Sequence, residues 1–206
     1  GVVAGLFVFG LLAGKKSRWA TLFIILIASA AIISWRPARQ SAYKYIALND
    51  FSGQVRRLQW QETWEMLKDG KVISGAGLAN YQNAIAPYHK EGFFYNRDND
   101  PDFHKKTVFN AAYREKYWQP LEIYLYPHNI FLNFWTELGL AGMLLFIWII
   151  VKFFMIGIKL IRNYNLKIRN SEAIKNNYLI IGLLGAMTAI TVHGLVDVPY
   201  FKNDLS

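Results

Sequence analysis

The stretch LGLAGMLLFIWIIVKFFMIGI, residues Leu138–Ile158, carries a single charge, Lys152, and is otherwise apolar or small. It has the about 20 residues that a helix needs to cross a hydrocarbon core of roughly 30 Å. Ser17–Trp35 and Tyr178–Val198 meet the same criterion. Gly1–Ala13 is wholly apolar but too short to span, as the end of a truncated helix would be. The sequence therefore predicts the C-terminal fragment of a protein that crosses a membrane several times.

The composition agrees with a membrane protein that has one large extramembrane part. Hydrophobic residues make up 53% of the 206 residues and charged residues only 18%, against about 25% charged residues in a typical soluble chain. The net charge of +9 is typical of basic cytoplasmic loops, so we expect membrane lipid and no nucleic acid as a partner. Because the chain lacks cysteine, disulfides, thiolate metal sites and Cys nucleophiles are excluded.

Two short basic connections predict the orientation in the membrane. Residues 14–18 hold three basic side chains and no acid, and residues 159–177 hold five basic side chains and one Glu. Both connections are expected in the cytoplasm, because Lys and Arg resist translocation. Residues 1–35 and 128–206 then form transmembrane helices, and residues 36–127 form a loop that faces the outside, as does the C-terminal end.

The predicted fold is an all-α membrane protein, a multi-spanning helical bundle with a large, partly helical extracytoplasmic loop. In that loop, Trp60, Trp64 and Leu67 recur at positions i, i+4 and i+7. This spacing gives one apolar stripe on a helix near residues 53–69. A second helix is expected near residues 107–118.

Polar residues lie where the loop re-enters the membrane. The tetrapeptide at Tyr126–Asn129 contains His128, and Glu137 follows about 13 Å further along a helix at 1.5 Å per residue. A carboxylate within a membrane is costly unless it is paired, which marks it as functional or as an anchor. His193 and Asp197 form a second polar pair near the same outer surface. The alternative for His128 is an interfacial histidine in an aromatic belt.

The polar middle of the loop predicts no metal site. Asp98, Asp100 and Asp102 alternate as in a calcium loop, but a proline interrupts them and no closing Glu follows at the EF-hand spacing. We expect a solvated acidic turn there, and surface positions for His89 and His104. No HExxH or similar spacing occurs, so neither a metal nor another cofactor is expected.

Several residues occur in the order found in the O-antigen ligase and polymerase superfamily. Arg56 lies four residues before Trp60, a Gly-x-Gly pair follows at Gly75 and Gly77, and then come Pro127-His128-Asn129, Glu137-Leu138-Gly139 and Gly142. The chain resembles this superfamily from about Ser52 to about Phe154, and more loosely at His193–Asp197. It departs from the family in having fewer spans and in lacking the proline that often precedes the Gly-x-Gly turn.

The resemblance implies a GT-C-like, multi-spanning glycosyltransferase in the cytoplasmic (inner) membrane, with its large loop facing the outside or periplasm. Such an enzyme transfers or polymerises a glycan from an undecaprenyl-diphosphate-linked oligosaccharide donor onto an acceptor hydroxyl. The reaction proceeds with inversion and without a metal or other cofactor. The acceptor is a glycan, the lipid A core or, in related members, a protein.

The resemblance also implies roles for the site residues. His128 would be the catalytic base, since an imidazole exchanges a proton near neutral pH. Arg56, or its neighbour Arg57, would bind the diphosphate, because guanidinium groups form paired hydrogen bonds with phosphate. Substrate binding would further involve Trp60, Gly75, Gly77, Asn129 and Glu137. Aromatic faces for sugar stacking are offered by Tyr81, Tyr88, Phe93, Phe94, Tyr95 and Trp118.

A transporter or flippase for lipid-linked glycans is the alternative function. In that case Glu137, His193 and Asp197 would be relay residues near the bilayer midplane. A transferase instead concentrates its essential residues at the outer interface, near His128 and Arg56. The position of the His-Asn element favours the transferase.

Overall fold

The computed structural model describes residues 1–167 and 171–198, and this part of the chain is mostly helical. The α-helices are α1 (Val2–Leu12), α2 (Lys15–Ser34), α3 (Arg36–Ile46), α4 (Phe51–Met66), α5 (Tyr81–Ile85), α6 (Phe103–Phe109), α7 (Ala111–Tyr117), α8 (Ile130–Lys167) and α9 (Ser171–Gly194). Two short strands, β1 (Gly92–Phe94) and β2 (Trp118–Pro120), pair antiparallel with Phe93 opposite Gln119. The sequence predicts an all-α fold, so this two-stranded ribbon in the loop corrects that prediction.

Three helices are long and apolar enough to cross a membrane, at Lys15–Ser34, Ile130–Asn163 and Asn177–Gly194. Many of their apolar side chains are exposed, for example Phe23 and Trp148, which suits helices in contact with lipid or with other spans. The three predicted spans are thereby confirmed as helices. However, α9 ends at Gly194, so the predicted span to Val198 is too long by one turn. The C-terminal end, residues 199–206, lies outside the described residues.

The apolar helices pack side by side in the order α2, α1, α9, α8. Small residues allow α1 and α9 to approach closely, since a side chain at Gly5 would meet the backbone oxygen of Gly185. On the other side of α9, Leu184 packs against Gly157 of α8. Ile161, Ile181 and Leu184 form the buried centre of this layer.

The loop between α2 and α8 folds around α4. Met66, Leu67, Tyr81 and Ile85 form its buried core, and Trp135 of α8 packs against it. The aromatic stripe predicted on α4 faces α8 and the segment before it, because Trp64 meets the Trp135 ring edge-on at 5.6 Å between centroids. The stripe therefore joins the loop to the spanning helices.

The two predicted loop helices differ from the observed ones in detail. The first ends at Met66 and continues as a π-helical turn, Leu67–Lys71, in which Gly70 adopts a φ of 76°. The second, predicted near residues 107–118, is instead the pair α6 and α7. Asn110 separates them and caps α7, because its Oδ1 accepts a hydrogen bond from the Tyr113 N–H at 3.0 Å.

A break at Gly139 divides α8. Gly139 has a φ of 73° and a ψ of −177°, a conformation open almost only to glycine. The part that follows, Leu140–Asn163, is about 36 Å long at 1.5 Å per residue, which suffices to cross a bilayer core of roughly 30 Å. The part that precedes it, Ile130–Leu138, packs on the loop instead.

Candidate active site

His128 lies directly before α8 in a strained backbone conformation. Its φ is 45°, the left-handed region that costs a residue other than glycine about 1–3 kcal/mol. Asn129 stabilises the turn, because its Oδ1 accepts hydrogen bonds from the backbone N–H groups of Phe131 and Leu132, each at 3.0 Å. Its Nδ2 donates to the carbonyl oxygen of Leu195 at 2.9 Å. Asn129 thus caps α8 and ties it to the end of α9.

The tie through Asn129 brings Asp197 to His128. The Nδ1 atom of His128 is 3.3 Å from Oδ1 of Asp197, and the N–H of Val198 donates to the same oxygen at 2.8 Å. Nε2 of His193 lies 3.6 Å from the other oxygen of Asp197. Both side chains of the central pair are largely shielded, with 20% of His128 and 13% of Asp197 exposed.

The pairing leaves the second nitrogen of His128 available. If Nδ1–H donates to Asp197, Nε2 carries the lone pair, and it has no hydrogen-bond partner in the part of the chain that the structure describes. The rings of Tyr124 and Tyr126 meet the imidazole edge-on, with centroids at 5.2 and 5.0 Å. This arrangement fixes the ring and directs a proton acceptor away from Asp197.

Trp60 connects α4 to this histidine. Its Nε1–H donates to the carbonyl oxygen of Pro127, the residue before His128, at 2.8 Å. Arg56 lies one turn earlier on nearly the same side of α4, since four residues at about 100° each leave an offset of only about 40°. Its Nε is buried and has no hydrogen-bond partner among the described residues. An unpaired buried guanidinium nitrogen favours an anionic partner.

Arg57 points elsewhere. It is exposed and lines a cavity of about 310 Å³ together with Gln61, Phe93 and Phe94. The two arginines that the sequence leaves as alternatives therefore occupy different environments, and Arg56 is the one beside the Trp60–Pro127 contact.

The Gly75–Gly77 turn fills the break in α8. The N–H groups of Ala76 and Gly77 donate to the carbonyl oxygen of Thr136, at 2.6 and 3.2 Å, and the N–H of Leu140 donates to the carbonyl of Ile73 at 3.0 Å. In a continuous helix, Leu140 would bond to Thr136. Residues 73–77 therefore form hydrogen bonds with the Thr136 carbonyl and the Leu140 N–H, which the break leaves without partners in α8. A side chain at Gly75 would lie 2.5 Å from the oxygen of Thr136.

Glu137 projects from the same broken turn towards the loop. Its Oε2 accepts a hydrogen bond from the N–H of Ala79 at 2.7 Å. Glu137 lines a cavity of about 340 Å³ whose wall also includes Tyr126, Gln82 and Asn133. Because Tyr126 also contacts the imidazole of His128, the cavity lies beside the histidine.

His89 is paired with a buried carboxylate, so the predicted surface position is wrong. Its Nδ1 is 3.5 Å from Oε2 of Glu62, which is 3% exposed, and its Nε2 is 3.2 Å from the carbonyl oxygen of Leu121. The N–H of Lys90 donates to the other oxygen of Glu62 at 2.8 Å. This network holds the chain after α5 against α4.

The acidic stretch is an exposed turn, as predicted, in which Asp98 and Asp102 reach solvent, and it is also bonded internally. Asp100 accepts hydrogen bonds from Lys106 Nζ and from the Tyr113 hydroxyl, both at 2.7 Å. These bonds, the one from Lys106 first, lower the pKa of Asp100 to about 2. Asp98 accepts a hydrogen bond from the hydroxyl of Tyr117. Within the described residues, no group of three His, Cys, Asp or Glu side chains has a metal-binding arrangement.

The aromatic residues predicted to stack on sugars differ in accessibility. Tyr81 is 3% exposed and its hydroxyl is 2.7 Å from that of Thr63; burial raises its pKa. It therefore belongs to the loop core and offers no face to a sugar. Tyr88 donates a hydrogen bond to Asp69, and Phe93 packs on Phe51.

Taken together, these features define a polytopic membrane protein with a histidine–aspartate pair where its spanning helices meet a folded loop. Residues 1–147 match the O-antigen ligase family, and the chain belongs to this family. No curated protein and no solved structure matches the chain. Membership confirms the superfamily inferred from the sequence and implies a glycosyltransferase of the ligase or polymerase type, acting in polysaccharide biosynthesis.

The match contains His128, Arg56, Trp60 and Glu137, whereas Asp197 lies beyond it. The sequence singles out Asp197 as a partner of His193 and as a relay residue in the transporter alternative, but not as a partner of His128. Asp197 and His128 both lie near the predicted outer ends of spans, which is compatible with a contact between them. The contact itself follows only from the packing of α8 on α9.

Proposed function

We propose that this chain carries the reaction centre of a GT-C-like membrane glycosyltransferase that moves a glycan from undecaprenyl diphosphate to an acceptor hydroxyl. The acceptor is the lipid A core or a growing glycan, and the reaction occurs at the outer face of the cytoplasmic membrane. The observation that carries the proposal is the pairing of His128 with Asp197 beside the Trp60–Pro127 contact. A histidine oriented by a carboxylate is a recurrent arrangement for a general base.

His128 is assigned the proton transfer. Nε2 takes the proton of the acceptor hydroxyl while the acceptor oxygen attacks the anomeric carbon of the donor sugar. The bond from that carbon to the diphosphate oxygen breaks, and undecaprenyl diphosphate leaves with the electron pair. One displacement of this kind inverts the anomeric carbon. Asp197 stabilises the imidazolium that forms, since an opposite charge at 3.3 Å favours the protonated ring.

Arg56 is assigned the leaving group. Negative charge builds up on the diphosphate as the glycosidic bond breaks, and a preorganised guanidinium stabilises it. Support comes from the buried Nε of Arg56, which has no protein partner in the described part of the chain. Gly75 and Gly77 contribute by holding the broken turn of α8 in place, and Asn129 by holding the His128 backbone.

The positions of the polar residues support a transferase over a transporter. Asp197 and His193 gather with His128 at one end of α8 and α9, and Glu137 bonds to the loop at Ala79. A relay for transport would require such groups along the middle of the spans. The outward orientation of the loop, residues 36–127, is part of the proposal and rests on the basic connections.

Substitution of His128 in the full-length protein tests the function. His128→Ala is introduced into a strain that lacks the gene, membrane abundance is checked, and the surface polysaccharide is separated on a gel. If long chains are lost and single-repeat glycan remains attached to its carrier, the protein is a polymerase. If long chains persist but stay on the lipid carrier, it is a ligase. His104→Ala is the matched control, because His104 is an exposed loop histidine. A wild-type profile for His128→Ala contradicts the proposal.

A further inference from the structure

The cavity between α8 and the loop has the chemistry of a sugar site. Its volume of about 340 Å³ lies at the lower end of the roughly 300–1,000 Å³ found for ligand cavities. Leu78, Leu125 and Tyr126 supply apolar surface, and Gln82, Asn133 and Glu137 supply polar groups. Such a mixture suits a pyranose ring, which has an apolar C–H face and a rim of hydroxyl groups.

Asn133 is the most informative wall residue. It is 2% exposed, yet its side-chain amide has no hydrogen-bond partner among residues 1–167 and 171–198. The amide is not among the fully enclosed side-chain atoms that lack a partner, so it opens onto the cavity that Asn133 lines. Amides in such a position are almost always hydrogen-bonded. The partner of the Asn133 amide is therefore expected from whatever fills the cavity.

Glu137 and Gln82 line the same cavity, and each uses one side-chain atom for a hydrogen bond to the protein and leaves its other polar atom for a ligand. Glu137 uses Oε2 to accept from Ala79, and Gln82 uses Nε2 to donate to the carbonyl of Ile123 at 3.1 Å. The remaining oxygens are acceptors, and the Asn133 amide adds donors. Sugar hydroxyls donate and accept at once, so this set complements two neighbouring hydroxyl groups.

We propose that this cavity binds the acceptor sugar, with Asn133 and Glu137 as positioning residues that determine acceptor specificity. The inference rests on the proposed function. Tyr126 forms part of the wall and contacts the His128 ring at 5.0 Å between centroids. A sugar in the cavity therefore lies next to the general base, while the donor diphosphate is bound from the side of Arg56.

The test is a transfer assay with the full-length protein in lipid vesicles. The donor is the host's undecaprenyl-diphosphate-linked glycan, and the acceptors are the host's lipid A core and, separately, a second lipid-linked repeat unit. Asn133→Leu is expected to raise the KM for the acceptor at least 10-fold, with the donor KM changed less than twofold. Gln82→Ala, an exposed position, is expected to raise the acceptor KM less, by about threefold, and covers the case in which Asn133→Leu fails to fold.

Asn163→Leu is the matched control. Asn163 is exposed in the same helix, about 35 Å beyond Leu140 at 1.5 Å per residue, and both KM values should stay at the wild-type level. An unchanged acceptor KM in Asn133→Leu and Gln82→Ala, or a rise in the donor KM alone, overturns the acceptor site. If His128→Ala still abolishes transfer in that case, the proposed function stands and only the acceptor site is wrong.

Discussion

At the scale of single residues, the proposed reaction centre depends on how His128 is held. One ring nitrogen faces Asp197, two tyrosine rings flank the imidazole, and Asn129 fixes the backbone on its C-terminal side. The left-handed φ of 45° is tolerated because these contacts outweigh its cost. Strained residues of this kind cluster at functional sites.

Asp197→Asn tests the assigned partnership. The amide preserves the shape of the side chain but no longer stabilises a protonated imidazole, so kcat should fall about 10- to 100-fold with the donor KM nearly unchanged. Combined with His128→Ala, it should cause little further loss, because the two residues act as a unit. His193→Ala serves as the comparison, since Nε2 of His193 lies 3.6 Å from Oδ2 of Asp197, whereas His128 faces Oδ1. Additive losses in the double variant would argue against the pair.

Arg56 and Arg57 provide a matched pair of neighbours. Arg56→Gln removes a partly buried charge beside the Trp60–Pro127 contact and should raise the donor KM about 10- to 100-fold, the equivalent of one or two charge-assisted hydrogen bonds. Arg57→Gln changes an exposed side chain and should have the smaller effect. Steady-state kinetics with the lipid-linked donor measure both. A larger effect at Arg57 would transfer the diphosphate role to that residue.

The site residues show what a sequence predicts and what it omits. His128, Asn129 and Glu137 stand out because polar residues at the end of an apolar run need a reason. The partnership with Asp197 spans 69 positions and depends on the packing of α8 against α9. The polar neighbours of His89 predict a surface position, yet the fold pairs its imidazole with the buried Glu62 carboxylate.

At the scale of elements, the break in α8 is the feature that joins the loop to the spans. Residues 73–77 satisfy the backbone groups that the break at Gly139 leaves without a partner in α8. Hydropathy alone does not predict this break, because the apolar run continues through Gly139, and a glycine within a spanning helix is common. The predicted span nevertheless begins at Leu138, one residue before the break, because the charged Glu137 ends the apolar run there.

Gly139→Ala tests the break. The new side chain would meet the carbonyl oxygen of Ile73 and would have to adopt a φ of 73°, at a cost of about 1–3 kcal/mol. We expect a lower melting temperature and reduced transfer. Gly182→Ala is the control, because no atom lies within 4 Å of its added methyl group, and Ala stabilises a helix interior by roughly 1 kcal/mol. Equal melting temperatures for Gly139→Ala and the wild type would contradict the role given to the break.

At the scale of the whole molecule, the proposed function requires the loop and the two basic connections to lie on opposite sides of the membrane. The 206 residues contain no cysteine, so, in a full-length protein whose other cysteines are replaced, single cysteines report on each side. Asp102→Cys should react with a membrane-impermeant maleimide in intact cells, whereas Lys16→Cys should react only after permeabilisation. The reverse pattern would place the reaction centre in the cytoplasm and contradict the proposed location.

The spans were predictable from the sequence because crossing a bilayer is a local demand on about 20 consecutive residues. The way in which α1 packs between α2 and α9, and the β-ribbon at Gly92–Phe94, were not. They depend on close contacts between small residues and on pairing between segments far apart in the chain. The length and composition of the apolar runs therefore predict the spanning helices. Which helices pack against each other is known only from the structure.

The most direct test is transfer by the purified full-length protein in vesicles that contain the lipid-linked donor and an acceptor. Released undecaprenyl diphosphate and glycosylated acceptor are both quantified. Both products should form in equal amounts, and His128→Ala should slow the formation of both at least 100-fold, within the range for loss of a general base. Movement of intact donor across the bilayer without release of undecaprenyl diphosphate, or wild-type transfer by His128→Ala, would contradict the proposed function.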